Sequence, residues 1–304
     1  MLSALRSVQP ARTLRRQPLR RHGARSLSYS HVMWQEEAKP ATLDKTVKTE
    51  KTEDKPLPIP PLSRPLGVPE VPTTREKTLA EKGKEILDRE KQMEKRRHLV
   101  KEASTGYFQD LHMTRFNGGK TWMAPSVLIR EDKALYFPNI KGVRLDNGAA
   151  QHTTNLCHGK ISVISMLTTK ISEYHAESYT SRLNKMYGDH SSFQHVHINL
   201  QENILKSLLV NIFLTSLRSK VPPEQQSNYL ISRQNMEYVR EQLGMVNSRI
   251  GYTYLVDDKL KVRWAACADA KPEEEEALVR GVGVLLKRFK NRPAAKTEAS
   301  PPVI

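Results

Sequence analysis

The stretch from Gly251 to Cys267 limits the fold of this chain more than any other. Tyr252, Tyr254 and Val256 alternate with Thr253 and Leu255, and Leu260, Val262 and Trp264 alternate with Lys261, Arg263 and Ala265. Aromatic and β-branched residues at period two suit a pleated sheet, so the stretch reads as two strands. Asp257-Asp258-Lys259 between them is turn chemistry, because aspartate side chains bond nearby backbone N–H groups. A helix should follow. Asp269 or Lys271 stands near its start, Pro272 suits the first turn, and Glu273 to Glu276 complement the helix dipole. Leu278, Val282, Leu285, Leu286 and Phe289 then form one apolar stripe.

Upstream, globular composition begins at Tyr107. Ser126 to Arg130 and Ala134 to Asn139 read as two short strands around the turn Glu131-Asp132-Lys133, and Asn147-Gly148 is a further turn. Lys160 to Leu167 is a near-continuous apolar run, the pattern of a buried central strand. Thr168 to Met186 is helical, with Ile171, Tyr174, Tyr179 and Leu183 spaced for one face. Phe193 to Leu200 alternates as a second strand, and Asn203 to Leu217 is an apolar helix stopped by Pro222-Pro223. A helical piece at Glu237 to Leu243 precedes the hairpin. The order β-α-β-α-β-β-α predicts an α/β, thioredoxin-like mixed sheet with flanking helices over residues 105–290, its first two strands made parallel by a right-handed crossover.

Redox proteins of that fold carry Cys-x-x-Cys where the first core strand meets its helix, and the helix N-terminus lowers the thiol pKa. Here that segment is Met166-Leu-Thr-Thr-Lys-Ile171, without cysteine. The loop before the hairpin, Ser248-Arg249-Ile250, lacks the proline that usually abuts a redox site. The two cysteines, Cys157 and Cys267, fall elsewhere and read as bland buried thiols. No catalytic, cofactor-binding or metal-binding residue is assigned. His195 and His197 share one strand face with His190 nearby, but no Asp, Glu or Cys stands at ligand spacing, so they read as solvent-facing. Gly118-Gly119-Lys120-Thr121 invites a phosphate-loop reading, yet that motif needs a glycine where Thr114 stands; Gly159-Lys160 introduces a strand and fails too.

The formal charge of +16 makes anionic partners the first consideration, but its distribution matters more. Residues 1–30 hold seven arginines (Arg6, Arg12, Arg15, Arg16, Arg20, Arg21 and Arg25) and no acid, the composition of a mitochondrial presequence; a basic nucleic-acid-binding arm is the alternative. Arg25-Ser26-Leu27-Ser28 places cleavage between residues 28 and 35. Residues 31–75 form a Pro-rich linker, with eight prolines after residue 34, and are expected to be disordered. Within it, Pro56 to Pro61 reads either as part of a spacer or as a segment that docks an aromatic groove. Residues 76–104 are a charged helix whose Leu79, Ile86, Met93 and Val100 recur every seven positions, either a docking seam or part of a solvated helix. A disordered tail, 291–304, closes the chain. No stretch reaches the roughly 20 apolar residues of a spanning helix.

Several phrases of the sequence resemble one family. They are Gly119-Lys120 with Trp122 and Ala124-Pro125, Ala134-Leu-Tyr136-Phe137-Pro138-Asn139, Gly159-Lys160-Ile-Ser-Val163, Gly251-Tyr-x-Tyr-Leu-Val-Asp257, and Val262-Arg263-Trp264-Ala265. Over roughly residues 105–290 the chain is similar to the fungal mitochondrial ATP synthase assembly factors called ATP ten. The resemblance implies a non-enzymatic chaperone that binds newly made subunit 6 (subunit a) of the membrane sector and promotes its joining to the subunit 9 ring. It implies a peripheral seat on the matrix side of the mitochondrial inner membrane, which a basic surface favours by about 1 kcal/mol per Lys or Arg near anionic lipid. No cofactor and no nucleic-acid partner are expected, and the quoted residues are expected to be structural. The alternatives are a thioredoxin-like mitochondrial oxidoreductase, motivated by the fold and Cys157 and Cys267, and a mitoribosome- or RNA-associated protein, motivated by the charge.

Overall fold

The computed structural model describes residues 58–75, 117–201 and 207–291, with positions 87, 88, 93, 96 and 115. The expected presequence, the first part of the expected linker, most of the expected charged helix and the expected tail beyond Asn291 lie outside the described residues. A seven-stranded sheet runs in the order β2-β1-β5-β4-β3-β6-β7. Its strands are β1 (Lys141–Arg144), β2 (Ala150–His152), β3 (Ile161–Leu167), β4 (Phe193–Leu200), β5 (Tyr229–Ser232), β6 (Tyr252–Val256) and β7 (Val262–Cys267). The described helices are α1 (Thr153–Cys157), α2 (Lys170–Tyr187), α3 (Ser207–Lys220), α4 (Pro223–Gln226), α5 (Glu237–Arg240) and α6 (Pro272–Lys290).

β3 is central because its seven residues are apolar or small and all are buried. It pairs in parallel with β4 through the α2 crossover and antiparallel with β6, whose hairpin partner β7 lies outside it. That arrangement, β4-β3-β6-β7 followed by α6, is the thioredoxin topology expected from the sequence. On one face Ile161, Val163, Tyr179, Leu183, Trp264, Leu278, Val282 and Leu285 pack beneath α2 and α6. The opposite face, including Ile164, Met166, Val196, Ile198, Tyr252 and Tyr254, is covered largely by irregular chain carrying Leu66, Trp122, Phe137, Ile140, Leu243 and Met245.

That cover corrects the reading of the linker. Residues 58–75 are extended, but they are held in place. Leu62 N–H donates to Met123 O at 3.1 Å, Met123 N–H to Pro60 O at 2.8 Å, and Val68 and Tyr136 exchange bonds at 2.8 and 2.9 Å. Leu66 is 1% exposed. The prolines deny this segment a place inside a sheet, yet its remaining backbone groups form isolated bridges and one leucine reaches the core. The pair of strands expected around residue 131 also changes. The turn forms, with Ala134 N–H donating to Arg130 O at 2.9 Å, but its arms do not pair with each other. They lie against the hairpin: Ile129 N–H donates to Arg263 O at 2.7 Å, Val262 N–H to Leu135 O at 2.8 Å, and Phe137 N–H to Leu260 O at 2.8 Å. The outer edge of β7 is thereby closed.

Three strands were not anticipated. β1 and β2 flank the Asn147-Gly148 turn, and β5 extends the parallel set beside β4. On α2 the buried face is Ser172, His175, Ala176, Tyr179, Thr180 and Leu183. Ile171 and Tyr174, expected on that face, are 49% and 60% exposed. α3 ends at Lys220 ahead of Pro222, and α5 stops at Arg240, short of the expected Leu243.

Candidate functional site

The junction of β3 and α2 is where a redox protein of this topology holds its thiols, and here threonine hydroxyls occupy it. Thr168 Oγ1 donates to Ser248 O at 2.7 Å and Thr169 Oγ1 to Arg249 O at 2.9 Å, tying the helix start to the loop before β6. The N–H groups of Thr168 and Thr169 donate to Ser172 Oγ at 2.9 and 3.0 Å, and Ser172 N–H donates to Thr169 Oγ1. The helix is thus capped by its own side chains. Gly251 completes the closure, because a Cβ there would stand 2.6 Å from Ser172 O. Both cysteines are buried away from this point. Burial pushes the Cys157 thiol up to about 12. Burial also raises Cys267, whose Sγ donates to Trp122 O at 3.4 Å. Thiols held protonated are poor nucleophiles.

The residues singled out by resemblance fall into several separate structural clusters. Lys120 is a buried ammonium whose three N–H donors are shared among four acceptors, Tyr179 Oη (3.0 Å), Cys267 O (2.9 Å), Asp269 O (2.8 Å) and Glu274 Oε2 (2.6 Å). Glu274 also accepts from Ala124 N–H and Lys271 N–H, so a single ion pair fastens the 117–125 segment to α6. Gly119, buried in a tight 3-10 turn, delivers Lys120 to that position. In the hairpin, Arg263 pairs with Asp257 at 3.1 Å, both side chains under 5% exposed, while its Nε donates to Ile129 O. Trp264 Nε1 donates to Pro125 O at 2.7 Å. Phe137 meets Tyr254 edge-on, Tyr136 bridges Val68 and Lys261, and Thr153 Oγ1 donates to Pro138 O. Asn139 donates to Thr73 O and accepts from Thr154 Oγ1. Gly159 N–H donates to Asp258 O, leading Lys160 into β3. Glu274 and Tyr179, the partners of Lys120, were not foreseen as such; the four consecutive glutamates from Glu273 concealed the one that turns inward.

The histidines require correction. His195 and His197 do not face bulk solvent: they are partly buried on the floor of a cavity of about 630 Å³ between α2, β4, β5 and the end of α3. Asn184 Nδ2 donates to His195 Nδ1 at 3.2 Å, which leaves His195 Nε2–H to donate to Ser165 Oγ at 2.9 Å. The His195 and His197 rings lie 4.0 Å apart, and His197 stacks on Tyr229 at 5.4 Å. Gln201 Nε2 donates to Asn199 Oδ1, and Asn199 Nδ2 to Tyr229 Oη. Burial depresses His195 well below the usual imidazole value and pushes His197 down to about 4, so both are neutral at pH 7. The signal was present in β4, where polar His195, His197 and Asn199 alternate with apolar Val196, Ile198 and Leu200. Among the described residues no group of three His, Cys, Asp or Glu side chains is placed to hold a metal.

Strand order and site together define a thioredoxin-fold protein with threonines in place of thiols at the start of α2. The chain belongs to the ATP10 protein family, whose model matches residues 43–285, well ahead of residue 105, where the resemblance was expected to begin. It is 32% identical over 236 residues to the mitochondrial ATPase complex subunit ATP10 of Saccharomyces cerevisiae, spanning 71% of this chain and 84% of that protein. To the Eremothecium gossypii protein of the same name it is 33% identical over 232 residues, spanning 73% and 84%. Similar solved structures include a thiol:disulfide interchange protein of Chlorobium tepidum, with 17% identity and a TM-score of 0.35 over 52% of this chain and 99% of that one. A DsbF homologue of Corynebacterium diphtheriae has 15% identity and a TM-score of 0.38 over 56% and 96%. At such values the fold rests on the strand order and not on the overlap.

Proposed function

We propose that this protein is an assembly factor of the mitochondrial ATP synthase. It binds newly made subunit 6 of the membrane sector at the matrix face of the inner membrane and holds it until it joins the subunit 9 ring. Membership of the ATP10 family carries this reading. The two relatives named above are described as subunits of the mitochondrial ATPase complex. The helix start agrees with a binding role: hydroxyls there close the site by hydrogen bonds and supply no redox couple. The seven arginines of residues 1–30 fit import, and no described helix is long and apolar enough to cross a membrane, which fits a peripheral seat. The physical task is to shield an apolar, aggregation-prone chain until its permanent partner arrives.

Deleting the gene should abolish oligomycin-sensitive ATPase activity in isolated mitochondria while the soluble catalytic sector still assembles; retained oligomycin sensitivity would sink the proposal. The Cys157→Ser, Cys267→Ser double variant should restore respiratory growth to the deletion strain. Failure of a stably folded double variant to do so would favour a thiol mechanism instead.

A further inference from the structure

The cavity over β4 has features that the packing of the domain does not require. Among the described residues, Nδ1 of His197 is buried without a hydrogen-bond partner. An unpaired buried polar atom costs about 1–3 kcal/mol, and native structures carry few of them. Floor and walls are otherwise sharply divided. His195, Asn199, Gln201 and Tyr229 make the floor polar, whereas Leu167, Ala176, Leu217 and Val221 make one corner apolar. At about 630 Å³ the space is within the usual range for binding pockets, about 300–1,000 Å³.

Charge narrows the choice of occupant. The chain carries +16, yet the charged residues lining this cavity cancel, Lys170 and Lys220 against Glu173 and Glu177. Lys170 and Glu173 are paired with each other. An anion drawn to the rest of the surface finds no excess of positive charge here. Beside the mouth two large side chains are exposed, one of them Tyr174 with the Lys170 ammonium 5.2 Å from its ring centroid. Around α2, Tyr174 and then Ile171 follow the cavity-lining Lys170 and Ser181, and they are 60% and 49% exposed. A small molecule would leave that flank uncovered, and an uncharged stretch of polypeptide would cover it.

We infer that the cavity and the adjoining Tyr174–Ile171 flank of α2 form one docking groove for an uncharged, apolar segment of the client polypeptide. One apolar side chain enters the Leu167–Ala176–Leu217 corner, a main-chain amide of the segment pairs with the polar floor, and flanking residues lie on Tyr174 and Ile171. This rests on the reading that the client is a newly made membrane-sector subunit, whose apolar segments await burial.

The test places a photoreactive phenylalanine analogue at Gln201 of the full-length protein, in mitochondria whose own translation products are radiolabelled. Parallel proteins carry the probe at Val127 or Val246, which are exposed outside the cavity lining. The Gln201 probe should crosslink to a mitochondrially made membrane-sector subunit. Ser181→Trp, at the mouth, should lower the yield about tenfold, while Arg182→Trp, rotated about 100° away on the helix, should leave it unchanged. Urea unfolding midpoints equal to that of the parent would show that both variants fold. Crosslinks from Val127 or Val246 with none from Gln201 would overturn the groove and leave the assembly role standing. Crosslinks from Gln201 to lipid or a small molecule, or a yield untouched by Ser181→Trp, would also overturn it. If no position captures any ATP synthase subunit, the assembly reading falls and the groove with it.

Discussion

Lys120 shows what a single residue contributes to this fold. Its side chain is 4% exposed and its three N–H donors are shared among Glu274, Tyr179 and two carbonyls, joining segments up to about 150 positions apart in sequence. Such a pair adds little over an apolar replacement of both partners, but removing one leaves a bare charge in the core. Lys120→Met should therefore cost about 3–5 kcal/mol in urea unfolding. Combining it with Glu274→Gln should lose less, since no bare charge is left in the core, although the amide has one oxygen and can accept from only one of Ala124 and Lys271. A loss under about 0.5 kcal/mol for Lys120→Met, the range of ordinary surface changes, would contradict the buried position. The sequence marked Lys120, Asp257, Arg263 and Trp264 as notable and structural. It did not mark Glu274 or Tyr179, because a local pattern shows a helix face and not which residue across the domain will meet it.

At the scale of elements, strong and long patterns were legible. β3, β4, α2, the β6–β7 hairpin and α6 all stand where periodicity put them. β1, β2 and β5 span three or four residues each, too short for a period to declare itself, and they exist because a neighbouring strand offers an edge. The docked segment 58–75 misled for a different reason. Its composition is that of a mobile chain, and its order depends on Leu66 in the core and on bridges to residues 123 and 136. Leu66→Ala should therefore cost about 2–5 kcal/mol, as a core truncation does, and should expose this segment to limited proteolysis. Gly67 has φ of 126° and no room for a Cβ, which would lie 2.6 Å from Tyr136 O, so Gly67→Ala should loosen the same segment. Proteolysis rates equal to the parent's in both variants would show that the docking is not needed for order.

For the whole molecule, the two cavity histidines link stability to pH. Both have folded values below the usual 6.5, His197 near 4, so the unfolded chain binds more protons between those limits. Their contribution is fully present above about pH 6.5 and is lost as pH falls toward 4, with a slope of at most about 1.4 kcal/mol per pH unit for each proton taken up. Urea unfolding at several pH values between about 7 and 5 should show that fall, and His197→Gln should make it shallower by up to one proton; an unchanged slope would refute the assignment. The sequence by itself determined the thioredoxin-like order of strands and helices, the missing thiols at the start of α2 and the family, because periodicity, a motif's absence and shared wording are properties of contiguous residues. Only the tertiary structure decided that the Pro-rich segment is docked, that Lys120 is spent on Glu274, and that His195 and His197 floor a cavity. Each of those depends on which distant surfaces meet, and burial, not local propensity, fixes that choice.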